Sequence, residues 1–139
     1  MTSLAPPDLE LWLCSWIRRK VTDVPGLTVG NKVPAGYLAQ HPLIVVRDDS
    51  GPKLSPVTFD RSVGVSVYMG SRQNGKAARD LAARLFALLT DDPNLLYGFA
   101  DGSPIIGITD EGCTGPHQVD DPLAAAVFYS TFEYTVTNW

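Results

Sequence analysis

One hundred and thirty-nine residues, 45 % of them hydrophobic and 19 % charged, suffice for a single domain over residues 1–139 with a core of its own. A net charge of −4 argues against the basic footprint of a nucleic-acid binder, and no apolar run approaches the roughly 18–20 residues of a membrane span. The first seven residues lack a basic stretch followed by an apolar one, so no signal peptide is expected and synthesis inside the cell is the default.

Residues 8–20 open the fold. Leu9, Trp12, Leu13, Trp16 and Ile17 fall at helical spacing and make one apolar stripe. Asp8 and Glu10 near the start, and Arg18, Arg19 and Lys20 at the end, complement the helix dipole. Pro25 and Gly26 end this unit. Leu27, Thr28 and Val29 are a short strand candidate, and Leu43, Ile44, Val45 and Val46 have the continuous apolar character of a buried strand. Asp48, Asp49, Ser50, Gly51 and Pro52 then turn the chain. The neighbouring carboxylates invite a metal or general-acid reading, but turn chemistry accounts for them and no third ligand lies nearby.

Residues 63–69 alternate as a half-buried strand should, and lead into a loop from Gly70 to Lys76 that matches G-x-x-x-x-G-K. After it, Ala77, Ala78, Leu81, Leu85, Leu88 and Leu89 recur at helical spacing. Strand, glycine loop and helix are the setting of a nucleotide-binding loop. The match fails at Ala77, where a hydroxyl should ligate Mg²⁺, and no apolar strand ending in Asp follows. The expected feature is a strand–helix corner, with Gly70 and Gly75 supplying backbone freedom and Asn74 capping the helix. Asp91, Asp92 and Pro93 close it.

Residues 95–99 and 105–109 flank Asp101, Gly102 and Ser103, which suggests a hairpin. Residues 110–122 read as a polar loop. In the last segment Phe128, Phe132, Tyr134 and Val136 share one face, and Tyr129, Thr131, Glu133 and Thr135 the other. The first of these faces is the expected core. Together these elements predict an α+β fold: a mostly antiparallel sheet with two amphipathic helices packed on one face.

Catalytic chemistry is hard to find. Cys14 and Cys113 are the only cysteines and lack metal-ligand spacing, so unpaired thiols are expected. His41 and His117 lie in proline-flanked loops. His117 with Asp120 and Asp121 is the best catalytic-looking trio, and loop polarity explains it more simply. No metal, no cofactor and no enzymatic activity are expected.

The succession of elements has a likeness. An amphipathic first helix, the extended run 43–46, a strand ending in Gly70 and an Ala-rich helix come in order. A turn at Gly102, Ser103 and Pro104, an acidic loop with Asp120, Asp121 and Pro122, and a final aromatic strand follow. Over nearly its whole length the chain resembles the tail terminator, or tail completion, proteins of long-tailed bacteriophages, especially those infecting actinobacteria. The resemblance implies a structural protein of the virion tail, at its head-proximal end, assembled in the host cytoplasm. It implies a closed ring, usually of six copies, that stops growth of the tail tube and joins the head–tail connector. DNA would slide through its lumen unbound, and six copies at −4 each, −24 in all, suit a repulsive conduit. The expected ring and tube contacts lie on loops 33–41, 47–56 and 110–122; Arg61, Arg72 and Arg79, outside these loops, would pair with Asp48, Asp49, Asp120 and Asp121 of a neighbour, with Arg47 in the same set. A head-closure or neck protein of the same virion is the alternative within this class. A small nucleotide-binding protein or enzyme using the loop from Gly70 to Lys76 is the alternative outside it.

Overall fold

A computed structural model describes residues 3–96, 98, 101–122 and 125–138. The first helix, α1 (Leu9–Lys20), starts where the Asp8 carboxylate accepts from the Leu11 amide at 3.1 Å. Its stripe is buried at Leu9, Leu13, Trp16 and Ile17, and Trp12 stacks on Trp16 with ring centroids 6.5 Å apart. Three strands follow: β1 (Thr28–Gly30), β2 (Leu43–Asp48) and β3 (Phe59–Ser71). Then come α2 (Lys76–Asp91), the short α3 (Pro93–Leu96), β4 (Ile105–Ile108), β5 (Thr114–Val119) and β6 (Ala125–Val136).

The six strands form one sheet in the order β1-β2-β3-β6-β4, and β5 also pairs with β6. Only the β1–β2 pairing is parallel. Along its free side β6 carries β5 opposite its first half and β4 opposite its second. Strand alternation sorts the side chains cleanly. Ile44, Val46, Val63, Val65, Val67, Phe128, Phe132, Tyr134 and Val136 enter the core with both long helices. Asp60, Ser62, Tyr68, Tyr129, Thr131, Glu133 and Thr135 line the opposite, helix-free face. The expected α+β fold is therefore what forms, with α3 added to the two amphipathic helices.

Aromatic packing ties the terminal strand to α2. Phe132 lies 5.5 Å from Phe86 and 6.1 Å from Tyr134 between centroids. The Tyr134 hydroxyl, buried with its ring, donates to the Leu89 carbonyl at 2.6 Å, which satisfies both groups away from water. Burial pushes this phenol well above its ordinary pKa.

Four expectations change. The hairpin expected around residues 101–103 is not what the described residues form: Leu95 and Leu96 are helical. Pro93 sits at the first position of a helical turn, the Asn94 amide bonds to Asp92 at 2.8 Å, and β4 pairs with β6 instead. Tyr97, Phe99 and Ala100 lie outside the described residues. The polar loop 110–122 contains a strand, β5, which carries no alternating apolar pattern because nearly all of it is exposed. Asn74 is not the cap of α2. It lies in a 3-10 turn (Arg72–Asn74), and Gly75 takes the cap position without a side-chain bond. Finally, the strand expected over residues 63–69 is longer, since β3 begins at Phe59 and includes Arg61. Among the described residues, no helix is long and apolar enough to cross a membrane.

Candidate functional site

The eight charged residues singled out by sequence gather in two places. The first lies where β2 leaves the sheet. Alternation sends Arg47 and Asp49 to the helix-free face, where Arg47 Nε donates to Asp49 Oδ1 at 2.8 Å. That bond, before any other influence, raises the Arg47 pKa above its ordinary value. The same guanidinium lies 6.0 Å from the Tyr129 ring centroid. Tyr129 can lie across β3 because Gly64 beneath it has no side chain, and a Cβ there would collide with its hydroxyl.

Asp48 points the other way, towards α1. Its carboxylate accepts from the Ser50 amide at 2.8 Å, an Asx-type turn that accounts for the acidic pair as turn chemistry. Arg61 reaches Asp48 at 3.9 Å, and its side chain is only 12 % exposed. Arg61 Nε is buried without a partner, so this cation is held more by its surroundings than by a tight bond. A cavity of about 140 Å³ adjoins it, lined by Asp60, Ser62, Glu133 and the turn at Ser50–Pro52. Two carboxylates in that lining suit neither an anion nor a nucleotide.

The second place is the opposite end of the sheet. Arg72 approaches Asp120 at 3.8 Å, and Arg79 lies 5.7 Å from the Phe128 ring centroid. Asp121 acts on two tyrosines packed edge to face, Tyr37 and Tyr68, whose centroids are 5.9 Å apart. Burial first, and then Asp121, raises the pKa of Tyr68; for Tyr37 burial again leads, followed by Tyr68 and Asp121. Tyr37 also donates to the His41 carbonyl at 2.6 Å within the loop 33–41, whose contacts to the sheet are Tyr37 against Tyr68 and His41 against the Thr28 hydroxyl, while Val33 and Leu38 stay exposed.

Arg61 with Asp48 and Arg72 with Asp120, expected to meet across a subunit boundary, thus come within ion-pair distance inside one chain. Arg79 packs on an aromatic ring. His117 is not assembled with both acids: it packs edge-on against Tyr129, while Asp120 faces Arg72. The loop from Gly70 to Lys76 is a compact corner. Gly70 has φ +76°, where a side chain would be strained, and Lys76 Nζ bonds to Asp80 at 2.7 Å on the exposed side of α2. Cys14 and Cys113 are free thiols, and among the described residues no cluster of His, Cys, Asp or Glu could hold a metal.

Several contributors escaped the sequence. Glu10 and Arg18, which looked like dipole partners of α1, reach sideways to the sheet edge. Glu10 Oε2 accepts from the Asp48 amide at 2.7 Å, its Oε1 accepts from Asn31 at 3.1 Å, and Arg18 donates to the Val29 carbonyl. Their position eight residues apart on one flank of the apolar stripe was the available signal. The exposed Leu54 and Val57 at the tip of the β2–β3 arm had no signal beyond the flanking prolines. No protein-family model matches the chain, and no curated protein matches its sequence.

Proposed function

We propose that this chain is a structural virion protein that closes the tail tube of a long-tailed bacteriophage as a ring, the role that its element order resembles. The observation that carries the reading is the division of its contact-rich loops between two ends of one sheet. The β2–β3 arm with Leu54 and Val57 lies at one end, and the loop 33–41 with Asp120 and Asp121 lies at the other. A ring that caps a tube must meet a tube protein on one face and a head connector on the other, and this placement provides for both. Closure requires a heterologous contact whose rotation completes a circle. In this reading no residue is catalytic, no cofactor is held, and DNA passes the lumen without being bound.

Light scattering over a range of protein and salt concentrations, followed by electron microscopy, tests the ring. A discrete six-fold particle is expected, either alone or once tube protein is added. Charge reversal of Asp120 and Asp121 together should weaken that particle while leaving the monomer folded. Failure to form any ring in the presence of tube protein, or an oligomer indifferent to the double reversal, would count against the reading and its contact assignment respectively. Binding to the head connector without any effect on tube growth would shift the role to head closure.

A further inference from the structure

Among the described residues, no strand pairs with the outer edge of β5. β5 pairs with β6 on its inner side only, and every residue of it except Pro116 is exposed. We propose that the outer edge of β5 is a strand-addition site for an extended, lysine- or arginine-bearing segment of a partner protein. The proposal stands apart from the ring reading and needs no ring to be tested.

The backbone supplies the affinity. An edge strand presents alternate amides and carbonyls outward, ready to pair with another extended chain. The ladder shifts register between Thr114 and His117, and Pro116 has no amide to offer, so the regular docking line is residues 117–119, roughly 10 Å. Side chains supply the selection. His117 and Val119 lie on the helix-free face, in register with Tyr129 and Val127, while Gln118 lies on the other, opposite Phe128. An incoming strand would therefore set an apolar side chain beside Val119, which is 38 % exposed.

Charge identifies the occupant. Asp110 and Glu111 precede β5, Asp120 and Asp121 follow it, and residues 106–122 contain no Lys or Arg. Arg72, 3.8 Å from Asp120, offsets part of this charge, and Arg47 and Arg79 lie over Tyr129 and Phe128 on the β6 side, so four acids flank the strand against three arginines beside it. A second copy is a poor occupant on both available geometries. Two β5 edges meeting antiparallel would bring both sets of acids together. The opposite edge of a neighbouring sheet is closed by Glu10 on the Asp48 amide and Arg18 on the Val29 carbonyl. A basic extended segment meets neither obstacle.

The test uses the full chain and three labelled eight-residue peptides: alternating Lys and Val, alternating Glu and Val, and the Lys–Val peptide with two valines replaced by proline. Fluorescence anisotropy reads binding, and amide hydrogen exchange locates it. The Lys–Val peptide should bind about thirtyfold more tightly than the proline version, because two main-chain bonds worth about 1 kcal/mol each are lost. It should slow exchange within residues 114–119, and the Glu–Val peptide should not bind. Asp110→Lys with Glu111→Lys should weaken the Lys–Val peptide, with circular dichroism showing the variant folded; Gln118→Pro, checked likewise, disrupts the edge without touching the acids. Equal binding of the proline peptide would reduce the site to nonspecific charge and overturn the proposal. So would protection that falls elsewhere in the chain, or β5 amides already protected without peptide in a self-associated form that dilution disperses.

Discussion

The two lateral edges of the sheet are finished in different ways. On the β1–β2 side, α1 packs its apolar stripe into the core and turns its polar flank to the strands. Glu10 takes the outward Asp48 amide, and Arg18 takes the outward Val29 carbonyl. One helix thus fills the core and seals an edge. On the β5 side, among the described residues, no comparable side-chain cap is present: the strand is exposed, and Pro116, the register shift beside it and the flanking acids discourage pairing. Capping with side chains excludes any strand. Flanking with like charge excludes another copy of the same strand but leaves a basic one admissible.

Both edges depend on the strands between them, so the largest effect should come from the centre. Phe132 is fully buried between Phe86 and Tyr134, and Phe132→Ala should cost about 3–5 kcal/mol in urea unfolding. Protection of the Asp48 amide and of β6 should fall together in that variant. A loss confined to the β5 side would mean that the two edges are independent units.

Tyr134 offers a milder probe of the same centre. Its folded-state pKa lies well above the ordinary value of 10.0, because burial disfavours the phenolate. For such an acid the folded state holds its proton longer than the unfolded one. The stabilisation is complete below pH 10 and is lost as pH rises from there towards the folded pKa. Wild type should therefore lose stability above pH 10 more steeply than Tyr134→Phe. At neutral pH that variant should cost about 1–2 kcal/mol through the missing bond to Leu89. Parallel alkaline unfolding curves for the two proteins would place the sensitive group elsewhere.

How far the sequence revealed this contrast depended on whether a signal was local. Periodicity found α1, α2, β2 and the inward face of β6 because burial on one side imposes a repeat. β5 escaped because a strand exposed on nearly every residue has no apolar repeat to display, and its only cause is pairing with β6. Glu10 was visible as a charge near a helix start, yet its partner Asp48 lies 38 residues away. For the same reason Arg61 was expected to meet an acid of a neighbouring copy, although it stands in β3 opposite Tyr134 and reaches Asp48 of its own chain. Which acid each arginine meets depends on tertiary placement, which no local pattern encodes.

Converting the sealed edge into the open kind is the sharper experiment. Glu10→Ala removes the acceptor of both the Asp48 amide and Asn31, at a cost of about 1–2 kcal/mol. Exchange at Asp48 should accelerate while exchange across residues 114–119 stays as in wild type. Glu10→Gln keeps an acceptor oxygen and should restore most of the protection. If Glu10→Ala also loosens β5, the edges communicate through the sheet and the contrast drawn between them is too simple.

The smallest expected effect separates the β5 edge from the glycine loop near the same end of the molecule. Lys76 and Asp80 form an exposed pair one helical turn apart, so Lys76→Ala should cost only about 0.2–0.5 kcal/mol. In a phosphate-binding loop this lysine would instead be turned to the ligand, and its loss would abolish nucleotide affinity while barely changing stability. Here wild type and variant should be alike in a titration with ATP and Mg²⁺, and alike in binding the Lys–Val peptide at β5. Nucleotide binding by wild type that disappears in Lys76→Ala would turn the corner between β3 and α2 into a ligand site. The functional centre would then move from the edges of the sheet to the start of α2.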